Sequence, residues 1–374
     1  MAASETLIIK IGTQTLTKKN GTLNLPLMRD LVQQIVTLKK QGHRVILVSS
    51  GAVGTGRALV AKNPLKKIAD PVNEKQILAA IGQAHLIQTY QKMLDKHGIT
   101  AAQILLTKQD FVTKHHYQNI EHLFQSLRSQ DKILPIVNEN DSVAIQELMF
   151  TDNDELAGLL AAQLAADRLI ILTNVDGVYD RVPSEIGAEI IPVMDPQGKK
   201  GAPFPSVSTE KSMAGRGGML SKVNTARRMS NVGITMHIAA GYEPNIMVRL
   251  VQGETIGTTI LPHKKISSVK RWLAAAPNER HQQAVAHVIA NKTLADKLRD
   301  PDHVLSILPV GLIGIRGQFA KHDRVHVVDE KGHILAVGLA RYDDATLKDR
   351  LGQQKQPVFL HTDTLYRTYE GSDS

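Results

Sequence analysis

Short apolar runs and amphipathic stripes alternate along the first 260 residues of the chain. Leu7, Ile8 and Ile9 read as a strand, and Leu31, Ile35 and Leu38 recur behind it at helical spacing. The Val-Ile-Leu-Val run at 45–48 returns to strand. A helix follows around Ile77, Ile81 and Ala84, then strands at 102–106, 133–137 and 169–172. Leu156, Leu159, Leu160 and Leu164 stripe a helix between the last two. Apolar strands without alternation, separated by amphipathic helices, predict an α/β fold with a mostly parallel sheet sandwiched by helices.

From residue 264 the pattern changes. Residues 264–277 open on a basic, polar stretch and read as a linker. Beyond Pro277 the apolar runs become short and punctuated by turns, at 304–308, 311–315, 325–328 and 334–337, which predicts a small β-rich domain over 278–374. The first domain is assigned residues 1–263.

In a parallel sheet, ligands bind beyond the carboxyl ends of the strands, where loops run into helix N-termini. The polar and glycine-containing segments of this chain stand there. Lys10-Ile11-Gly12-Thr13 follows the first strand and Ser49-Ser50-Gly51-Ala52 the second. Asn138-Glu139-Asn140-Asp141 and Thr173-Asn174-Val175-Asp176-Gly177 follow two later ones.

Composition narrows the chemistry. The 374 residues include no cysteine, which excludes disulfides, cysteine nucleophiles and thiolate metal sites. The 15 histidines show no compact ligand spacing, so no metal site is assigned. The net charge of +9 is spread along the chain, +5 over residues 1–262 and +4 over 263–374, with no basic tail, and fits anionic small molecules as well as a polyanion. No run of 18 uncharged apolar residues and no leader-like N-terminus is seen, so no membrane partner and a cytoplasmic location are expected.

Each motif admits a plain reading and a chemical one. Lys10, directly after a buried strand, either snorkels to solvent or meets a ligand, with Gly12 and Thr13 offering backbone N–H groups to phosphate. Ser50 and Gly51 either cap a helix or turn hydroxyl and N–H groups toward an anion. Among Asp152, Asn153, Asp154 and Glu155, one cap accounts for one acid and leaves the others. With Asn138 to Asp141 they can hold an ammonium group, position lysines or bind a Mg-nucleotide. Arg216-Gly217-Gly218-Met219-Leu220-Ser221-Lys222 is a glycine-rich loop entering a helix, without Walker spacing. Two loop lysines, an acid cluster and two glycine turns, all at strand ends, form an inventory suited to phosphoryl transfer.

On these segments the chain resembles the amino-acid kinase family, and within it the branch that phosphorylates the γ-carboxylate of L-glutamate in the first step of proline synthesis. The resemblance implies ATP and Mg²⁺ as cofactors and L-glutamate as substrate. It makes Lys10 and Lys222 the cations on the transferring phosphoryl group and Asp154 the carboxylate that holds them. It assigns Ser50, Asp141 and Asn153 to glutamate. Lys10, Gly12, Thr173, Asn174 and the stretch Arg216, Gly217, Gly218, Met219, Leu220, Ser221 and Lys222 go to ATP. Gln14, Asn174 and Arg216 depart from the small Ser, the Asp and the Thr usual in the family, all on the nucleotide side.

The tail, with Ile307 to Phe319 and Gly332 to Leu339, resembles a PUA domain, a usual C-terminal partner of such kinases that in other enzymes contacts RNA. Homo-oligomerisation and feedback inhibition by proline follow from the same resemblance. Two alternatives stand beside it: another kinase of the family, acting on acetylglutamate or aspartate, and an RNA-binding protein with a vestigial kinase domain. Residues 183–208, rich in Pro, Gly and Lys, read either as a cover over the site or as a surface insertion.

Overall fold

The computed structural model describes residues 4–61, 68–111, 114–143, 150, 152–181, 183, 185–195, 201–204, 218–263, 266–275, 286–300 and 305–368. The chain divides into two compact units, Met1–Lys265 and Ile266–Ser374.

The first unit runs β1 (Thr6–Ile11), α1 (Thr13–Leu16), α2 (Leu25–Lys40), β2 (Arg44–Ser49), α3 (Ala52–Val60), α4 (Pro71–Leu94), β3 (Thr100–Leu106) and α5 (Lys114–Arg128). It continues with β4 (Ile133–Glu139), α6 (Asn153–Gln163), β5 (Arg168–Thr173), β6 (Val193–Met194), α7 (Gly218–Asn231), β7 (Thr235–Ala240), α8 (Ile246–Val251) and β8 (Thr258–Ile260). Its sheet has the order β3-β4-β2-β1-β5-β7-β8-β6. Six strands, β3 to β7 in that order, are parallel to their neighbours; β8 turns antiparallel to β7, and β6 pairs parallel with β8. The predicted mostly parallel sheet is therefore present, with a short reversed edge.

β1 lies at the centre, all six of its residues buried between β2 and β5. Side chains alternate along a strand. Leu7, Ile9 and Ile11 enter a core shared with Met28, Leu31 and Ile35 of α2, and Ile8 and Lys10 point to the opposite face. That face is covered by α6, whose first turn carries Asp154.

Helices α3 and α4 approach each other closely through two glycines. A Cβ on Gly56 would lie 1.9 Å from the Leu78 carbonyl oxygen, and one on Gly82 would lie 1.8 Å from that of Ala52. Only glycine permits backbones to come so near. The helix expected around Ile77, Ile81 and Ala84 is present as α4, and it buries a different set of residues. Ile77 is 40% exposed and Ala84 is exposed, while Leu78, Gly82, Gln83 and Leu86 are buried. Contact through glycine leaves no hydrophobic mark in the sequence.

The second unit comprises α9 (Ser268–Ala275), β9 (Ala286–Ala290), α10 (Lys292–Arg299), β10 (Leu312–Arg316), β11 (Arg324–Val328), β12 (Ile334–Leu339), α11 (Asp344–Arg350) and β13 (Leu365–Arg367). Its separate sheet has the order β10-β9-β11-β12-β13, antiparallel except between β9 and β11. Val288, Val325 and Val327 enter its core with Phe319 and Phe359. On the other face His287 and His326, opposite each other in register, stack with centroids 5.5 Å apart. Burial, then Arg324 and His287, push His326 down to about 3, so it adds no positive charge at neutral pH. Helix α9 falls within the stretch read as a linker; its Trp272 and Leu273 are buried and it packs against β13. Of residues 183–208, part pairs into the sheet as β6, and 184, 196–200 and 205–208 lie outside the described residues.

Candidate active site

At the carboxyl ends of β1, β2, β4 and β5 lies a cavity of about 740 Å³. Lys10, Gly12, Ser50, Asp141, Asn153, Asp154, Thr173, Asn174, Met219 and Lys222 all line it. These residues span more than 200 positions of sequence, and the parallel topology brings them together because successive strand ends share one edge.

Asp154 is the organising group. Its Oδ1 is 2.5 Å from Lys10 Nζ and its Oδ2 accepts from Lys222 Nζ at 2.9 Å. The three side chains are 1%, 7% and 11% exposed, so the charges face one another and the cavity, with little water between them. Burial alone would push the Asp154 carboxyl up, but the two ammonium groups outweigh it and hold the group below the usual carboxylate range. Lys10 thus meets a buried partner, and the snorkelling alternative is excluded.

The neighbouring acids have separate tasks. Asp152 caps α6, its Oδ1 accepting from the N–H groups of Asp154 at 2.9 Å and Glu155 at 3.1 Å. Glu155 lies near Lys108 and Arg228, each at 3.7 Å. Asp154 is the member of the cluster that takes both site lysines.

A hydrogen-bonded chain crosses the cavity at Asn138, Asn153 and Ser50. Gln83 of α4 accepts from Asn138 Nδ2 at 2.7 Å, Asn138 Oδ1 accepts from Asn153 Nδ2 at 3.0 Å, and Ser50 Oγ accepts from Asn153 Nδ2 at 2.7 Å. Asn153 Oδ1 is buried and has no hydrogen-bond partner among the described residues, an acceptor left open beside the cavity. Gly51, at φ 104°, turns the chain so that Ser50 faces this network as α3 begins. Asn138 was part of the strand-end motif noted in the sequence, without a role of its own, and Gln83 was not singled out. An Asn at a strand end was the available signal for one, and nothing distinguished the other from an ordinary helix Gln.

Asp141 Oδ1 is 3.0 Å from Lys75 Nζ of α4. Glu139, also lining the cavity, accepts the Phe150 N–H at 2.9 Å. Burial raises its carboxyl to about 7, the Phe150 hydrogen bond opposing and Asp141 adding to the rise.

Among the residues expected to contact a nucleotide, Gly12 behaves differently from its expected role. Its N–H donates to the Leu172 carbonyl at 3.0 Å and so is already engaged; what Gly12 contributes is an open wall beside Lys10. Thr173 Oγ1 donates to Asn174 Oδ1 at 3.3 Å, and both residues border the cavity. Gln14 lines it too. Gly218, Met219, Leu220 and Ser221 form the first turn of α7, which places Lys222 one turn in; Arg216 and Gly217 lie outside the described residues.

Comparison with known proteins places the chain in a family. A model of the amino acid kinase family matches residues 5–240, and one of the PUA domain matches residues 287–356. The chain is 41% identical to glutamate 5-kinase of Chlorobaculum tepidum, over 96% of each chain. It is 39% identical to glutamate 5-kinase of Bacteroides thetaiotaomicron, over 96% of this chain and 98% of that one. A solved structure of carbamate kinase from Giardia lamblia bound to AMP-PNP has the same fold, with a TM-score of 0.50, 17% identity and coverage of 70% of this chain and all of that one. No described helix is long and apolar enough to cross a membrane. The chain belongs to the amino acid kinase family and carries a PUA domain behind its kinase domain.

Proposed function

We propose that this chain transfers the γ-phosphoryl group of ATP to the γ-carboxylate of L-glutamate, yielding γ-glutamyl phosphate and ADP, the first step of proline synthesis. The observation that carries the reading is the buried Lys10–Asp154–Lys222 triad at the floor of a cavity that also holds Ser50, Asp141 and Asn153. The full-length kinship to glutamate 5-kinases supplies the substrate.

In this reading a γ-carboxylate oxygen attacks the γ-phosphorus while the β,γ-bridging P–O bond breaks, its electron pair going to ADP. The acceptor is already ionised, so no general base is required. Asp154 holds the two ammonium groups at the cavity, and their positive charge stabilises charge on the transferring oxygens. Asn153 Oδ1 and Asp141 receive the substrate ammonium and Ser50 orients the substrate. Thr173, Asn174, Gly12 and the 216–222 segment take the nucleotide.

Among the described residues no group of three His, Asp or Glu side chains is arranged to hold a metal ion. Asp154 is engaged by lysines and Asp152 by a helix N-terminus. Mg²⁺ therefore fits as an ion carried in on the ATP phosphates, where it offsets their charge. We assign the catalytic domain to 1–263 and the PUA-like domain to 278–374, with 264–277 between them in sequence, its helix α9 packed into the second unit. A cytoplasmic location, a homo-oligomeric state and inhibition by proline accompany the reading by kinship. RNA at the PUA unit is a lesser alternative.

The test is ADP release with Mg-ATP and L-glutamate, beside aspartate, N-acetylglutamate and UMP, with hydroxylamine to trap an acyl phosphate as its hydroxamate. Glutamate-dependent ADP release with a trapped hydroxamate is expected. Turnover confined to another acceptor would replace glutamate by that substrate.

A further inference from the structure

Three lysines line the cavity, and two of them are committed to Asp154. The third, Lys75, stands one turn into α4 and meets Asp141 at the other end, 3.0 Å away. Glutamate carries an ammonium and a carboxylate on one carbon in addition to the carboxylate that reacts. Asp141 and Asn153 Oδ1 answer the ammonium, and nothing assigned so far answers the α-carboxylate. A lysine–aspartate pair is the electrostatic complement of an α-amino-acid head: laid against it, the zwitterion closes a ring of four alternating charges.

We infer that Lys75 binds the α-carboxylate of the substrate and thereby makes the site selective for α-amino acids over acceptors that lack this group. The inference rests on the glutamate reading. Two features of the pair suit the task. Lys75 is 41% exposed and Asp141 13%, so the ammonium is held in position yet remains within reach of an incoming anion. An ion pair at that exposure is worth little by itself, so sharing Lys75 with a substrate carboxylate costs little. Position matters as well. Gln83, two turns farther along the same helix, anchors the Asn138–Asn153–Ser50 chain, and the glycine contact at Gly82 holds α4 against α3. Lys75 is thus mounted on the element that already carries the rest of the amino-acid end.

The experiment compares L-glutamate with 4-aminobutyrate, which keeps the ammonium and the reacting carboxylate and lacks only the α-carboxylate. For Lys75→Met, kcat/KM with glutamate is expected to fall about 10- to 100-fold, the range for a hydrogen bond between charged groups. The loss should lie in KM with kcat little changed, while kcat/KM for 4-aminobutyrate stays within about twofold of the parent. Lys75→Arg should recover most of the glutamate loss. An equal loss on both acceptors, or no loss on either, would overturn the role. Methionine is a good helix former, so α4 is expected to persist, and a thermal melt of the variant checks this. Absence of glutamate turnover in the parent protein is a different result and would remove the glutamate reading instead.

Discussion

At one end of the cavity Asp154 is 1% exposed and holds two lysines; at the other, Asp141 and Lys75 meet with 13% and 41% of their side chains in solvent. The first arrangement is closed and keeps a surplus of one positive charge. Its charges were taken out of water together, and each is paired, as burial of ions requires. The second is open, with an unfilled acceptor at Asn153 Oδ1 and a carboxyl at Glu139 raised to about 7. Chemistry that must be poised in advance gains from the closed plan, because a preformed cation pair needs no rearrangement when charge develops. Recognition of a diffusing zwitterion gains from the open one, because exposed groups exchange partners at low cost.

The contrast is broken most severely at its closed end. Asp154→Ala leaves two buried ammonium groups without their carboxylate and is expected to cost about 3–5 kcal/mol of stability, read as a lowered urea midpoint together with loss of turnover. Lys222→Ala comes next. It removes charge stabilisation used in the transition state, so kcat should fall about 10²- to 10³-fold with glutamate KM nearly unchanged. A raised KM at unchanged kcat would take Lys222 out of that role. At the open end the same kind of truncation should act on affinity. Asp141→Ala is expected to raise glutamate KM about 10- to 100-fold and spare kcat, and an unchanged KM would remove Asp141 from the substrate.

The smallest effect separates the two ends by sign of pH dependence. Asp154 has a lowered folded-state pKa, so its contribution to stability is present above the unfolded value of 3.8 and is lost as pH falls through the folded one. Glu139 has a raised pKa, so its contribution is present below 4.5 and is lost as pH rises toward about 7. Glu139→Gln should therefore flatten the decline in stability between pH 4.5 and 7, by on the order of 1 kcal/mol, measured by urea unfolding at several pH values. A slope identical to the parent's would show that Glu139 does not titrate in that window.

Much of this was legible in the residue order. Continuous apolar runs marked the central strands because both of their faces are covered, and motifs at their ends marked the cavity edge. Lys10 could be singled out because a charge at the end of a buried strand is costly unless answered, and the excess of acids ahead of α6 hinted at the answer. The remainder depended on packing. Lys75 looked like any helix lysine, since only the tertiary approach of α4 to β4 turns it toward Asp141. Glu139 carries no sequence mark of its raised pKa, which arises from burial. The Gly12 N–H looked free until the register of β1 with β5 placed the Leu172 carbonyl opposite it. Helix α9 was hidden by its basic start, although Trp272 and Leu273 supplied the apolar face that seats it.

The glycine contacts between α3 and α4 have a consequence for thermal noise at the site. Contacts between side chains retain rotamer freedom, so parts joined through them can jitter as the rotamers exchange. Gly56 and Gly82 have no rotamers to exchange, so at these two points the helices meet through peptide planes pressed on one another. Ser50, mounted just ahead of one helix, and Lys75 and Gln83, mounted on the other, inherit the stiffness of those planes as a fixed spacing, like jaws ground on a common plate.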